Sequence, residues 1–191
     1  LLRLLMDTRK AIVGLFRRVL GEPHASLLAG IVVGERASMP KLFHEDLKNT
    51  GTMHIIAVSG MNITIVGGVL VEVLLRVMSR RKAVVGAIIG IWFYALLAGL
   101  SAPVVRAAIM GTIAFVALVL GREGDAKRGL LVAGYGMLLW NPYYIDDIGW
   151  QLSFVATVGI LWLAPVLRQW VKMDELAVTV AAYVATMPLL V

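Results

Sequence analysis

GTMHIIAVSGMNITIVGG, residues 51–68, is the stretch that decides the fold. With VLVEVLL after it, the run stays apolar from 53 to 75, long enough to cross a hydrocarbon core that takes about 20 residues. Yet it carries His54, Ser59, Asn62 and Thr64 and is studded with glycine. Polar side chains in hydrocarbon must face protein or a watery cavity. The stretch therefore predicts a membrane helix with one face reserved for something other than lipid.

The rest of the chain agrees. Of 191 residues, 60% are hydrophobic and only 16% charged, whereas a soluble domain is about half apolar and a quarter charged. The expectation is an all-α, polytopic transmembrane bundle of five to six crossings. Cysteine is absent, which excludes disulfides, thiolate metal sites and Cys nucleophiles. His24, His44 and His54 match no zinc spacing, so neither a metal nor a cofactor is expected. The chain opens on Leu1-Leu2 and stops inside an apolar run, as a fragment of a longer protein would.

Residues 1–24 alternate apolar and basic positions and predict an amphipathic interfacial or cytoplasmic helix. Residues 25–34 are apolar but too short to cross, which predicts a re-entrant or buried helix at the start of a transmembrane domain over 25–191. Crossings are expected at 53–75, 83–100, 103–120, 129–140 and 148–167, with a sixth starting near 175. The third would be roughly 27 Å long. Lys and Arg cluster in loops 76–82, 121–128 and 168–174, which alternation places on one side; the opposite loops have none. That bias makes the three basic loops cytoplasmic, in an inner-membrane, multi-pass protein. Trp140, Tyr143, Tyr144 and Trp150 would form an outer aromatic belt.

Several polar positions need partners. Gly60, Thr64 and Gly68 recur every four residues and predict a helix-packing seam. Glu72 and Arg76 stand four apart in the favourable order for an ion pair. Arg106, in the first turn of the third crossing, opposes the helix dipole and calls for an anion, either Asp146 or Asp147 or a substrate phosphate. Gln151 and Ser153 stand at the entrance of the fifth crossing, where Gly149, Ser153 and Thr157 make a small-residue face able to pack on the first crossing or flank a cavity with it. No catalytic residue is expected. Ala57-Val-Ser59-Gly60 is similar to the serine segment of rhomboid proteases, but His54 lies roughly 140° around the helix from Ser59 and cannot serve it as a base.

Three segments together resemble the ComEC family of competence proteins: His54-Ile-Ile-Ala-Val-Ser-Gly60, Ser101-Ala-Pro-Val-Val-Arg106-Ala107, and Asn141-Pro142 followed by Asp147-Ile-Gly-Trp-Gln151-Leu-Ser153. The chain departs at Asn62, where the family usually has His; Asn keeps hydrogen bonding and loses titration. The resemblance implies a conduit for single-stranded DNA across the cytoplasmic membrane, with His54, Ser59, Asn62, Arg106, Gln151 and Ser153 along the path and other uptake-machinery proteins as partners. It also implies a nuclease domain elsewhere in the full protein. A small-solute permease, or a scaffold whose polar residues only join helices, accounts for the same residues.

Overall fold

The structure, a computed structural model, describes residues 2–35, 39–50, 60–171 and 173–190. Among the described residues every regular element is a helix. They gather into two compact units, Leu1–Ala108 and Ile109–Val191.

The first unit begins with α1 (Leu2–Val19), α2 (His24–Val33) and α3 (Lys41–Asn49). Val13 of α1 packs with Ala29 and Val33 of α2, and Ile12, Phe16 and Val32 surround them. Ile12, Val13 and Phe16 of α1 are thus packed against α2, while Met6, Leu15 and Val19 stay exposed. Then come α4 (Gly60–Leu75), α5 (Arg80–Leu97) and the start of α6 (Ala102–Val119). A turn at Gly99 and Leu100, both with positive φ (90° and 53°), sends α6 back from the end of α5.

Helices α4 and α5 pack along their length. Leucines of α4 fill glycine gaps on α5: Leu74 Cδ1 lies 2.9 Å from where a Gly86 Cβ would stand, and Leu70 occupies the corresponding space at Gly90. Ala83, Ala87, Ile91 and Ala95, four apart, are fully buried. The expected seam on α4 is different. Gly60 is tightly packed, but Gly68 has open space where a side chain would be, and Thr64 is exposed with its hydroxyl donating to the Gly60 carbonyl at 3.2 Å. Close approach needs small residues on only one partner, and here α5 supplies most of them. In lipid, helix association comes from such packing, because transfer from one apolar medium to another gains little.

The second unit holds most of α6, then α7 (Ala126–Trp140), a short 3-10 helix (Pro142–Asp146), α8 (Ile148–Trp162), α9 (Ala164–Leu167) and α10 (Asp174–Leu190). Helix α7 starts before residue 129 because Asp125 caps it, accepting from Lys127 N at 3.0 Å and Arg128 N at 3.3 Å. The run expected at 148–167 is broken at Leu163, since Pro165 opens a new helix and lacks the N–H that would continue the old one. Helix α8 packs on α10, where a Gly159 Cβ would meet Ala185 Cβ at 2.5 Å and the Ala181 carbonyl at 2.6 Å. Phe154 of α8 sits over Gly134 of α7 and stacks on Trp150, with ring centroids 4.3 Å apart.

Among the described residues, one helix, Ala102–Val119, is long and apolar enough to cross a membrane by length and composition. His24–Val33, Gly60–Leu75 and Ile148–Trp162 are apolar but shorter. The difference from the expected five to six crossings has local causes. Helix α5 starts on Arg80-Arg81-Lys82, α8 stops at its proline break, and α4 is described only from Gly60.

Candidate functional site

Two polar side chains of the first unit, Asn62 and Tyr94, meet the end of α2. A helix leaves its last four carbonyls without intrahelical partners. Gly34, in the left-handed region at φ 69°, turns the chain and bonds back to Ala29 and Gly30. Two further carbonyls are taken by side chains from long helices. Asn62 Nδ2 of α4 donates to Ile31 O at 2.9 Å, and Tyr94 OH of α5 donates to Val32 O at 2.8 Å. Asn62 and Tyr94 thus hold successive carbonyls at the α2 end. The expected re-entrant or buried short helix is therefore an apolar helix that ends inside the unit, tied to α4 and α5 by side chain to main chain bonds.

Arg106 stands beside the first turn of α4. Its Nη2 lies 2.9 Å from the position of a Gly60 Cβ, and Ala107 Cβ lies 3.1 Å from it. Glycine at 60 thus makes room for a guanidinium. Gly60 and Arg106 come from two of the three segments singled out in the sequence, and the fold brings them into contact.

The third segment forms a corner in the second unit. Asn141 Oδ1 accepts from Tyr143 N at 3.1 Å, and Asp147 Oδ1 accepts from Trp150 N at 2.6 Å, capping α8. Gln151 Nε2 donates to Ile145 O at 2.7 Å, strapping α8 to the 3-10 helix. Gln151, expected along a path, has its amide nitrogen bonded within the corner. Ser153 is half-buried one turn below, and its carbonyl accepts from Thr157 Oγ1 at 2.8 Å.

Other expected residues fall as follows. Glu72 and Arg76 form an exposed ion pair at 2.7 Å, which stabilises by well under about 1 kcal/mol at such exposure. Arg106 belongs to the first unit, whereas Asp146 and Asp147 belong to the second, where Asp147 serves as a cap. His54 and Ser59 lie outside the described residues. Tyr94 escaped the sequence reading, although a phenol in an apolar helix is itself a signal, because a buried Tyr hydroxyl usually finds a partner.

A family model described as Competence protein matches residues 31–191. The chain belongs to the Competence protein family. It is 23% identical over 181 residues to ComE operon protein 3 of Bacillus subtilis, covering 94% of this chain and 23% of that protein. It is 26% identical over 145 residues to competence protein ComA of Neisseria gonorrhoeae, covering 71% of this chain and 21% of that protein. An uncharacterised protein of Aquifex aeolicus is 26% identical over 164 residues, covering 85% of this chain and 39% of that protein. The chain thus spans under a quarter of the Bacillus and Neisseria proteins. No solved structure matches. The family match takes in the last three residues of α2 and all of Asn62, Tyr94, Arg106 and the corner at 141–151.

Proposed function

We propose that this chain is the membrane-embedded part of a DNA-uptake protein, lining a conduit that carries single-stranded DNA across the cytoplasmic membrane during transformation. Family membership supports the uptake role. The observation that carries the conduit is the pair of ties from Asn62 and Tyr94 to the α2 end, with Arg106 beside Gly60 at the start of the same α4. On α4, Met61, Ile65, Val69 and Val73 form an exposed apolar stripe, each more than half exposed. Such a stripe suits lipid and is unusual against water.

In this reading α4 to α8 cross the membrane in alternation, and the three basic loops face the cytoplasm. Asn62, Tyr94 and Arg106 all lie toward the end of the first unit opposite Arg80-Arg81-Lys82, which places them in the outer half. Arg106 meets incoming phosphates, and the α2 end forms a constriction. A conduit needs weak sites, since tight ones would hold the strand. The neutral amide of Asn62 and phenol of Tyr94, with the Arg106 guanidinium beside the start of α4, suit that need.

Two experiments test the proposal. Arg106→Ala is expected to lower transformation about tenfold to a hundredfold, the loss of a charge-assisted contact. Glu72→Gln, on an exposed pair, should leave it unchanged. Normal uptake by Arg106→Ala in correctly inserted protein removes Arg106 from the path. For topology, Tyr143→Cys should react with an impermeant thiol reagent added to whole cells, and Ala126→Cys should react only after lysis. The reverse pattern overturns the orientation.

A further inference from the structure

A cavity of about 440 Å³ opens along α1, lined by Met6, Arg9, Lys10, Val13, Gly14, Arg17 and Glu35. A smaller one of about 150 Å³ continues it past Met6 and Arg9 to Leu5, Leu96 and Leu97. One end is therefore charged and the other aliphatic. The charges are mostly paired: Arg9 Nε meets Glu35 at 3.3 Å, and Arg17 Nε meets Glu22 at 3.3 Å. The lining carries Arg9, Lys10, Arg17 and one carboxylate, Glu35; with Glu22, outside the lining, paired to Arg17 and no carboxylate on Lys10 among the described residues, one positive charge is left. The floor is open at Gly14, where a side chain would meet nothing within 4 Å.

We infer that this groove binds an anionic glycerophospholipid. A single phosphodiester, seated by Lys10 and Arg17, matches the one excess charge. An acyl chain continues over Met6 to Leu5, Leu96 and Leu97. No aromatic ring lines either cavity, and single-stranded nucleic acid sites rely on aromatic stacking beside their basic groups. Aliphatic walls suit a hydrocarbon chain instead. Position supports the same occupant. Leu96 and Leu97 end α5 at the side opposite Arg80-Arg81-Lys82, so in the membrane reading α1 carries its basic residues on the outer face. That placement runs against the positive-inside bias, and an anionic headgroup compensates it.

The test uses the full-length protein purified in uncharged detergent and incubated with equal phosphatidylglycerol and phosphatidylcholine. The lipid retained on the protein is then measured. Phosphatidylglycerol should be enriched on the wild type. Lys10→Gln should lower that enrichment about fivefold, the usual effect of one basic residue near an anionic headgroup. Gly14→Leu should abolish it by filling the floor; because the new side chain enters open space on a helix, folding is preserved. Equal retention of both lipids, or enrichment persisting in Gly14→Leu, overturns the proposal. Displacement by millimolar inorganic phosphate would mark a free-phosphate site, and displacement by an oligothymidine that itself binds would mark a nucleic-acid surface; either result overturns the lipid assignment. Lipid retention is measured without DNA uptake, so its outcome is separate from that of Arg106.

Discussion

Asn62→Leu is expected to cut transformation about tenfold or more, whereas Asn62→His retains most of it. Leucine removes the donor to Ile31 O from a half-buried position. A carbonyl left unsatisfied inside protein costs about 1–3 kcal/mol, enough to loosen the α2 end from α4. A neutral imidazole still offers one N–H, so His restores the tie. Tyr94→Phe should be milder, because Asn62 still holds the neighbouring carbonyl. Thermal unfolding of the purified variants, beside transformation frequency, separates loss of the tie from loss of the protein. Wild-type behaviour of Asn62→Leu in both measurements would remove Asn62 from the site.

Gly159→Val is expected to give the largest loss of stability. Its Cβ would have to occupy space held by Ala185 Cβ and by the backbone oxygen of Ala181. A carbonyl on a helix cannot swing aside as a side chain can, so α8 and α10 must separate. Overpacking of this kind costs about 1–3 kcal/mol, and a chain of this size would lose roughly 4–10 °C in Tm. Gly136→Ala is the matched control on α7, since nothing lies within 4 Å of its would-be Cβ. It should be neutral or gain up to about 1 kcal/mol from helix propensity. Equal Tm values for the two variants would mean that α8 and α10 do not meet at Gly159.

The helices were legible in the sequence because apolar runs and their punctuation are local. Pro103 in the first turn of α6 and Gly34 after α2 mark boundaries where they stand. Packing was less legible. A four-residue spacing at Gly60, Thr64 and Gly68 identifies a face but not whether another helix meets it, and only Gly60 has a close neighbour. Gly86, Gly90 and Gly159 do more of the packing. Their role depends on which leucine or alanine arrives opposite, and a single sequence does not contain that. Asn62 was singled out, yet its partner was unreadable, because a main-chain carbonyl at residue 31 has no side-chain signature. The partner of Gln151 was unreadable for the same reason: it is the Ile145 carbonyl.

Helix α2 has ten residues, so it can reach through at most about 15 Å, half of a hydrocarbon layer roughly 30 Å deep. In the proposed conduit, a constriction of that length would make a thin barrier. The cost of moving a charged strand through a low-dielectric slab falls as the slab thins, and only the stretch beside α2 need be narrow. If the proposed conduit is correct, the remaining depth is free to be a wide, water-filled vestibule, so that a polyanion would shed its hydration over a few nucleotides at a time.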